Sequence, residues 1–159
     1  CPTDQRPLAD REDILVFQTE PLLERIEVTG NPIVHLYASS SCKDTDFFVR
    51  LIDVSPDGLA RDVSLGMVRA RYRNSLEEPI FIEPEKIIKY EILMNPTSNA
   101  FHPQHKLRLD ITSSDFPNYD RNHNTATNQN ADSTLKIANQ KVFNGRLYAS
   151  KIILPHVQN

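Results

Sequence analysis

Tryptophan is absent from these 159 residues, glycine occurs four times, and cysteine and methionine twice each. Each scarcity narrows the chemistry. Sugar sites usually present flat aromatic faces, and a chain without indole rings is poorly equipped for that role. Gly30, Gly58, Gly66 and Gly145 stand isolated, so neither a G-x-S-x-G nucleophile elbow nor a glycine loop that cradles phosphate can be assembled. Cys1 and Cys42 are too few for a disulfide framework. With nothing in their flanks demanding a pair, two free thiols are expected. No run approaches the length of an apolar membrane helix, and no charged-then-apolar leader opens the piece, so neither a span nor an uncleaved signal peptide is expected in it. Charge of one sign is lacking too. Eighteen lysines and arginines against 21 acidic residues leave a net charge of −3, which gives no electrostatic footprint for nucleic acid. No Asn-x-Ser/Thr sequon is free of a central proline, Asn95-Pro96-Thr97 being the nearest miss, and the compartment stays open.

What is present describes one globular domain. Apolar residues make up 39% and charged residues 25%, an ordinary folded balance. A chain of this length buries roughly 70% of its unfolded surface, so a core can hold without staples. It begins at Cys1 and not at methionine, which leads us to expect lost upstream neighbours. Eleven prolines cut the chain into short segments and leave little room for long helices.

Period-two alternation dominates the pattern. His105 to Thr112 places Leu107, Leu109 and Ile111 on one face and charges on the other, which predicts a half-buried strand. Lys86 to Met94, Pro32 to Ala38 and Phe47 to Leu51 alternate likewise, the last running into the reverse-turn sequence Ser55-Pro56-Asp57-Gly58. Between Val63 and Arg73 the apolar phase switches parity beside Gly66, which predicts a β-bulge there. Ile14–Phe17, Arg25–Val28, Ile80–Ile82 and Leu147–Leu154 are further short strand candidates, and only Ser133–Lys141 has helical character. Many short strands without a βαβ rhythm predict an antiparallel sandwich or barrel. Residues 113–134 form a polar, asparagine-rich loop whose length marks it as functional or partly disordered.

Reactive groups are sparse. Ser39-Ser40-Ser41 and Ser113-Ser114 lack glycine flanks and suit turns and caps. His102 and His105 lie three apart with no cysteine or carboxylate cluster near them in sequence, so a buried, satisfied His105 is favoured over a metal ligand. Asp44-Thr45-Asp46 could offer oxygens to calcium, although acidic turn residues are the plainer reading. Arg69, Arg71 and Arg73, at spacing two, would project from one strand face. They read as a carboxylate or phosphate clamp, a solvated face, or a seam pairing with acidic groups on a neighbouring domain. The last two are favoured because no phosphate-cradling loop accompanies them. No cofactor is expected.

An ordered set of motifs adds to this reading. Asp4-Gln5-Arg6, Asp44-Thr45-Asp46-Phe47, Asp53-Val54-Ser55-Pro56-Asp57-Gly58 and Arg69-Ala70-Arg71-Tyr72-Arg73-Asn74-Ser75 are followed by Pro96 to Phe101, Ser113 to Pro117 and Arg121-Asn122-His123-Asn124-Thr125. The chain resembles, over nearly its whole length, the C-terminal domain of the cocaine esterase and X-prolyl dipeptidyl-peptidase (CocE/NonD) type of serine hydrolase. That resemblance implies a jelly-roll β-sandwich of the galactose-binding-domain-like kind. It also implies that the catalytic serine, aspartate and histidine lie in an upstream α/β-hydrolase domain of the same polypeptide. The sandwich would pack on that domain and help wall its substrate pocket. Asp4, Gln5, Arg6, Arg69, Arg71, Arg73 and Arg121 are its candidate interface or structural residues, and no catalytic or metal residue is assigned. Gln104 stands where a turn glycine commonly precedes the histidine, which predicts a reshaped turn. Ala126 stands where glycine is frequent, which leaves the path of the long loop open. Cys42 occupies a position usually small or acidic, which argues for packing. Two alternatives are a free-standing carbohydrate-binding module and a protein-interaction module that forms a homo-oligomer through an exposed seam.

Overall fold

The computed structural model describes residues 4–127, 131 and 133–157. Its strands are β1 (Leu15–Gln18), β2 (Ile26–Gly30), β3 (Ile33–Ser40), β4 (Asp46–Val54), β5 (Ala60–Arg69), β6 (Ile88–Leu93), β7 (Thr97–Phe101), β8 (Lys106–Thr112), β9 (Gln140–Phe143) and β10 (Lys151–Ile153). Two 3-10 turns, Arg6–Leu8 and Ala70–Tyr72, are the helical elements among the described residues. One sheet runs β1-β8-β4-β5. In the second, β3 is flanked by β6 on one edge and by β9 and β10 in tandem on the other, while β2 and β7 form a ribbon of their own. Every strand pairing is antiparallel. The all-β sandwich predicted from alternation and implied by the resemblance is the fold that forms.

Alternation explains how the sheets face each other. Val34, Leu36 and Ala38 of β3 and Tyr90 and Ile92 of β6 meet Phe47, Val49 and Leu51 of β4 and Ile111 of β8 in one buried cluster. Each large side chain removed from water there contributes about 1.5–3 kcal/mol. Phe47 and Tyr90 pack ring to ring at 5.0 Å with a 51° tilt. β4 and β8 are interior strands, and their second faces are covered as well. Phe48 and Ile52 are buried, and so are Arg108 and Asp110. The half-buried strand predicted for His105–Thr112 is therefore corrected. Its charged face is enclosed, and Arg108 grips Asp110 through two contacts of 2.7 Å, so neither charge is left unpaired.

β5 departs from expectation in two ways. The register on β4 slips between Leu51, opposite Ser64, and Ile52, opposite Asp62, which leaves Val63 as the extra residue. The bulge lies there and not at Gly66. The glycine has another reason: a Cβ on it would sit 2.9 Å from Met94 Cγ and 3.1 Å from Met94 Cα, because β5 bridges to β6 at that point and closes one side of the sandwich. β5 then ends at Arg69, and the chain turns through Ala70–Tyr72, so Arg69, Arg71 and Arg73 do not share a strand face.

Elsewhere Ile80–Ile82 is not a strand, although Ile80 and Ile82 donate to the Arg71 and Lys43 carbonyls at 2.7 and 2.9 Å. The helical expectation for Ser133–Lys141 is also corrected. The described residues 133–139 are irregular, and Gln140 and Lys141 belong to β9, tied to the edge of β3. The Ser55–Gly58 turn forms as predicted, with Gly58 N–H donating to the Ser55 carbonyl at 2.8 Å and φ at +84°. At the other turn Gln104 itself takes φ +68°, so a non-glycine residue carries a glycine-type conformation. The turn sets His105 Nδ1 2.8 Å from Asp53 Oδ1, the satisfied histidine favoured from sequence. Cys42 is buried and free, its Sγ 3.6 Å from the Ile137 carbonyl. Cys1 lies outside the described residues.

Two outcomes follow from this packing. Gly66→Ala is expected to lower stability by about 1–3 kcal/mol, since the added methyl meets backbone as well as side chain, read as a fall in the urea midpoint. The Tyr90 hydroxyl is buried without a hydrogen-bond partner among the described residues, and burial pushes its pKa up to about 12. An unfolded tyrosine ionises near 10, so Tyr90 holds its stabilising contribution below pH 10 and loses roughly 2–3 kcal/mol as pH rises towards 12. Tyr90→Phe should flatten that alkaline slope while leaving neutral-pH stability unchanged or higher by about 1 kcal/mol, as measured by denaturation at pH 7 to 12.

Candidate functional site

At the end of the sandwich where β5 stops, a group of charged and polar side chains converges. Asp46 and Arg69 are the last register pair of β4 and β5, and the guanidinium closes on the carboxylate with two contacts of 2.8 Å. Asp46 holds the Arg69 pKa above the ordinary arginine range. Ala70 N–H donates to the Thr45 carbonyl at 2.8 Å, fixing the turn that follows. That turn brings Arg71 onto Asp44, to which its backbone N–H donates at 2.8 Å and its Nε at 2.7 Å. Asp44 is fully buried and the Arg71 side chain only 9% exposed. Each charge is thus paired and hydrogen-bonded where it is buried, which offsets the cost of removing it from water.

The long polar loop is fastened to this pair of ion pairs. Asn122 donates from one amide nitrogen to Asp44 Oδ2 at 2.8 Å and to Asp46 Oδ1 at 2.7 Å. Its amide oxygen accepts from Asn124 N–H at 2.9 Å. The remaining Arg71 donors reach the Thr125 and Thr127 carbonyls at 3.2 Å. Gln140 at the start of β9 donates to Thr45 Oγ1. Arg71 also lies over the Phe81 ring, 5.2 Å from its centroid, and Arg73 donates to the Ala70 and Ile80 carbonyls at 2.8 and 2.5 Å, closing the loop between them.

The predicted site residues separate into groups. Arg69 and Arg71 meet in the network, with Arg73 beside it. Asp4, Gln5 and Arg6 sit at the opposite end of β5, where Gln5 N–H donates to the Ala60 carbonyl at 2.8 Å and Arg6 pairs with Asp4 at 2.6 Å. Ten strand residues separate the two groups by about 30 Å. Arg121 stacks on Phe116 at 4.8 Å, over a cavity of about 280 Å³ on the outer face of β4. At that face Arg50 bridges Asp62 at 2.5 Å and Asp115 at 3.1 Å, and burial raises the Asp62 pKa despite that partner.

The clamp and calcium readings both meet these contacts. The Arg69 and Arg71 guanidiniums are engaged by Asp46 and Asp44 of the same domain, which leaves no acidic partner to be sought across a seam for these two. By the same contacts the Asp44 and Asp46 oxygens are taken by arginine and asparagine. Sequence reasoning missed Asn122, Arg50 and Asp62. Asn122 lay inside a quoted motif, but only the fold shows that it spans two aspartates 76 and 78 residues away.

Three of the motifs that carry the family resemblance are thus the three walls of one network. Residues 4–153 match the family described as the X-Pro dipeptidyl-peptidase C-terminal non-catalytic domain. The chain belongs to that family. It is 41% identical over 160 residues to cocaine esterase of Rhodococcus sp. (strain MB1 Bresler), a match that takes in 99% of this chain and 28% of that protein. Among solved structures it superposes on an aminopeptidase from a marine sediment Thaumarchaeota archaeon with a TM-score of 0.93 and 33% identity, covering 99% of this chain and 28% of the other. An α-amino acid ester hydrolase gives a TM-score of 0.90 and 33% identity, covering 98% and 27%. This chain of the X-Pro dipeptidyl-peptidase C-terminal family therefore spans little more than a quarter of the relatives it matches, and the domain is non-catalytic.

The network makes a stability prediction. Arg71→Ala leaves Asp44 buried without its cation and should cost about 3–5 kcal/mol, with the urea midpoint falling accordingly. Adding Asp44→Asn to Arg71→Ala should recover part of that loss, so the double-mutant cycle reads a coupling of about 1–3 kcal/mol.

Proposed function

We propose that this chain is the non-catalytic sandwich of a serine hydrolase acting on ester, amide or Xaa-Pro bonds, packed on an α/β-hydrolase domain of the same polypeptide and helping to shape its substrate pocket. The observation that carries this reading is the family match over residues 4–153, together with coverage of only 27–28% of relatives named as an esterase, an aminopeptidase and an ester hydrolase. In that parent enzyme a serine from the hydrolase domain attacks the carbonyl, and water resolves the acyl-enzyme. The residues of this chain hold architecture and take no reacting role.

The network end suits a docking role. Around the buried ion pairs the side chains of Ile80, Phe81, Leu135 and Ile137 stand exposed, an apolar group on a rigid polar base. Arg73 and Arg121 lie at its margin as interface cations, and Arg6 with Asp4 and Gln5 serves the far end of β5. Asp44, Asp46 and Asn122 hold residues 122–127 in one path, so the exposed side chains of that stretch meet a partner already ordered.

The full-length polypeptide is expected to hydrolyse an activated ester such as p-nitrophenyl acetate and to lose that activity on serine-directed phosphonylation. The 159-residue chain is expected to show no turnover above buffer in the same assay. Serine-dependent hydrolysis by the chain alone would overturn this reading.

A further inference from the structure

Among the described residues the sandwich is closed on one side only. β5 meets the end of β6 through the bridge between Gly66 and Met94, the residue that follows β6. On the opposite side β1 edges one sheet and β9 with β10 edge the other, and among the described residues no strand pairs with the outer edge of β1 or β9. Between those edges lies a gap of about 340 Å³ that reaches down to Leu36 and Leu51 and is walled by Phe17, Leu109, Val142 and Ile152. β1 itself reads Leu-Val-Phe-Gln and is exposed at all four positions, with Leu15 at 46% and Phe17 at 37%. Natural edge strands are usually blunted by lysine, proline or a bulge, and none of these occurs within β1.

The register shows which groups that edge offers. Thr19 N–H donates to the Leu107 carbonyl at 2.9 Å. Stepping by two along the antiparallel ladder makes Phe17–Leu109 and Leu15–Ile111 the hydrogen-bonded pairs. Val16 and Gln18 consequently turn their N–H and C=O groups outward. Phe17 and Leu15 share the face of Leu109 and Ile111, towards the gap. The edge thus presents unpaired backbone groups at one position and an apolar slot at the next, the two elements that strand addition uses.

The geometry points to an extended strand of the longer polypeptide, N-terminal to this chain, as the occupant: it pairs with β1 through Val16 and Gln18 and inserts alternate apolar side chains into the gap between the sheets. This deepens the reading of the chain as part of a longer hydrolase and rests on it. The relatives carry nearly three-quarters of their length outside the matched segment, which supplies the strand. A second copy is the poorer occupant. Paired about a two-fold axis, it brings its own β1 to that edge, and its Phe17 already lines its own gap.

The test uses the full-length polypeptide. Benzoylphenylalanine placed at Phe17 and irradiated should cross-link to a peptide N-terminal to Cys1 at monomer mass. In the unmodified polypeptide the Val16 and Gln18 amides should exchange at least a hundredfold more slowly than in a random chain. A cross-link at dimer mass, or one falling only within residues 4–157, overturns the proposal, as does fast exchange at both amides. Failure of the hydrolase reading looks different: the polypeptide would cross-link as expected yet show no serine-dependent esterase activity.

Discussion

The domain depends on two carboxylates that it cannot afford to leave alone. Asp44 and Asp46 enter β4 already buried, and each would be strongly disfavoured there as an isolated charge. Arg69 and Arg71 make their burial tolerable, and Asn122 then holds the two aspartates to a segment far along the chain. One consequence is topological. The β3–β4 loop, the end of β5, the long asparagine-rich loop and the start of β9 all converge on the same few atoms. A polar cluster of this kind rewards one arrangement of four segments and penalises the rest, because any slip strands a charge in a medium that does not solvate it.

Opposite treatments of the two sides of the sandwich give the domain its polarity. On one side Gly66 lets β5 approach β6 so closely that a methyl group would not fit, and the sheets seal. On the other the sheets stand apart over an apolar gap, and β1 carries exposed hydrophobic side chains with no blunting device within the strand. A free-standing module normally removes such an edge. A domain within a longer polypeptide can keep one, because neighbouring chain can cover it.

Much of the fold was legible because period-two alternation reports which strands have one face towards the core. β3, β4, β6 and β8 were recognised in that way, as was the Ser55–Gly58 turn from its proline, aspartate and glycine. The failures have physical causes. β7 was missed since Thr97-Ser98-Asn99 carries no apolar alternation, its pairing with β2 being a matter of backbone register. β9 was read as the end of a helix because Ser133–Lys141 has a mixed pattern, and the edge of β3 decided it. The charged face of β8 was expected in water since sequence does not reveal that Arg108 and Asp110 pair under a second layer. For the candidate site, motif order identified the family and all three walls of the network, but not that they touch.

Sequence by itself determined the strand-rich class, the absence of a nucleophile elbow, and the motif order by which the chain joins the X-Pro dipeptidyl-peptidase C-terminal family. These are local or compositional properties, written in spacing and residue type. Tertiary structure alone decided that Arg69 and Arg71 face inward onto aspartates of their own domain, that Gly66 is a contact glycine and not a bulge, and that among the described residues one side of the sandwich is open. Each of those depends on atoms brought together from distant segments, and the cost of burying a charge or crowding a methyl group exists only once the sheets have closed around it.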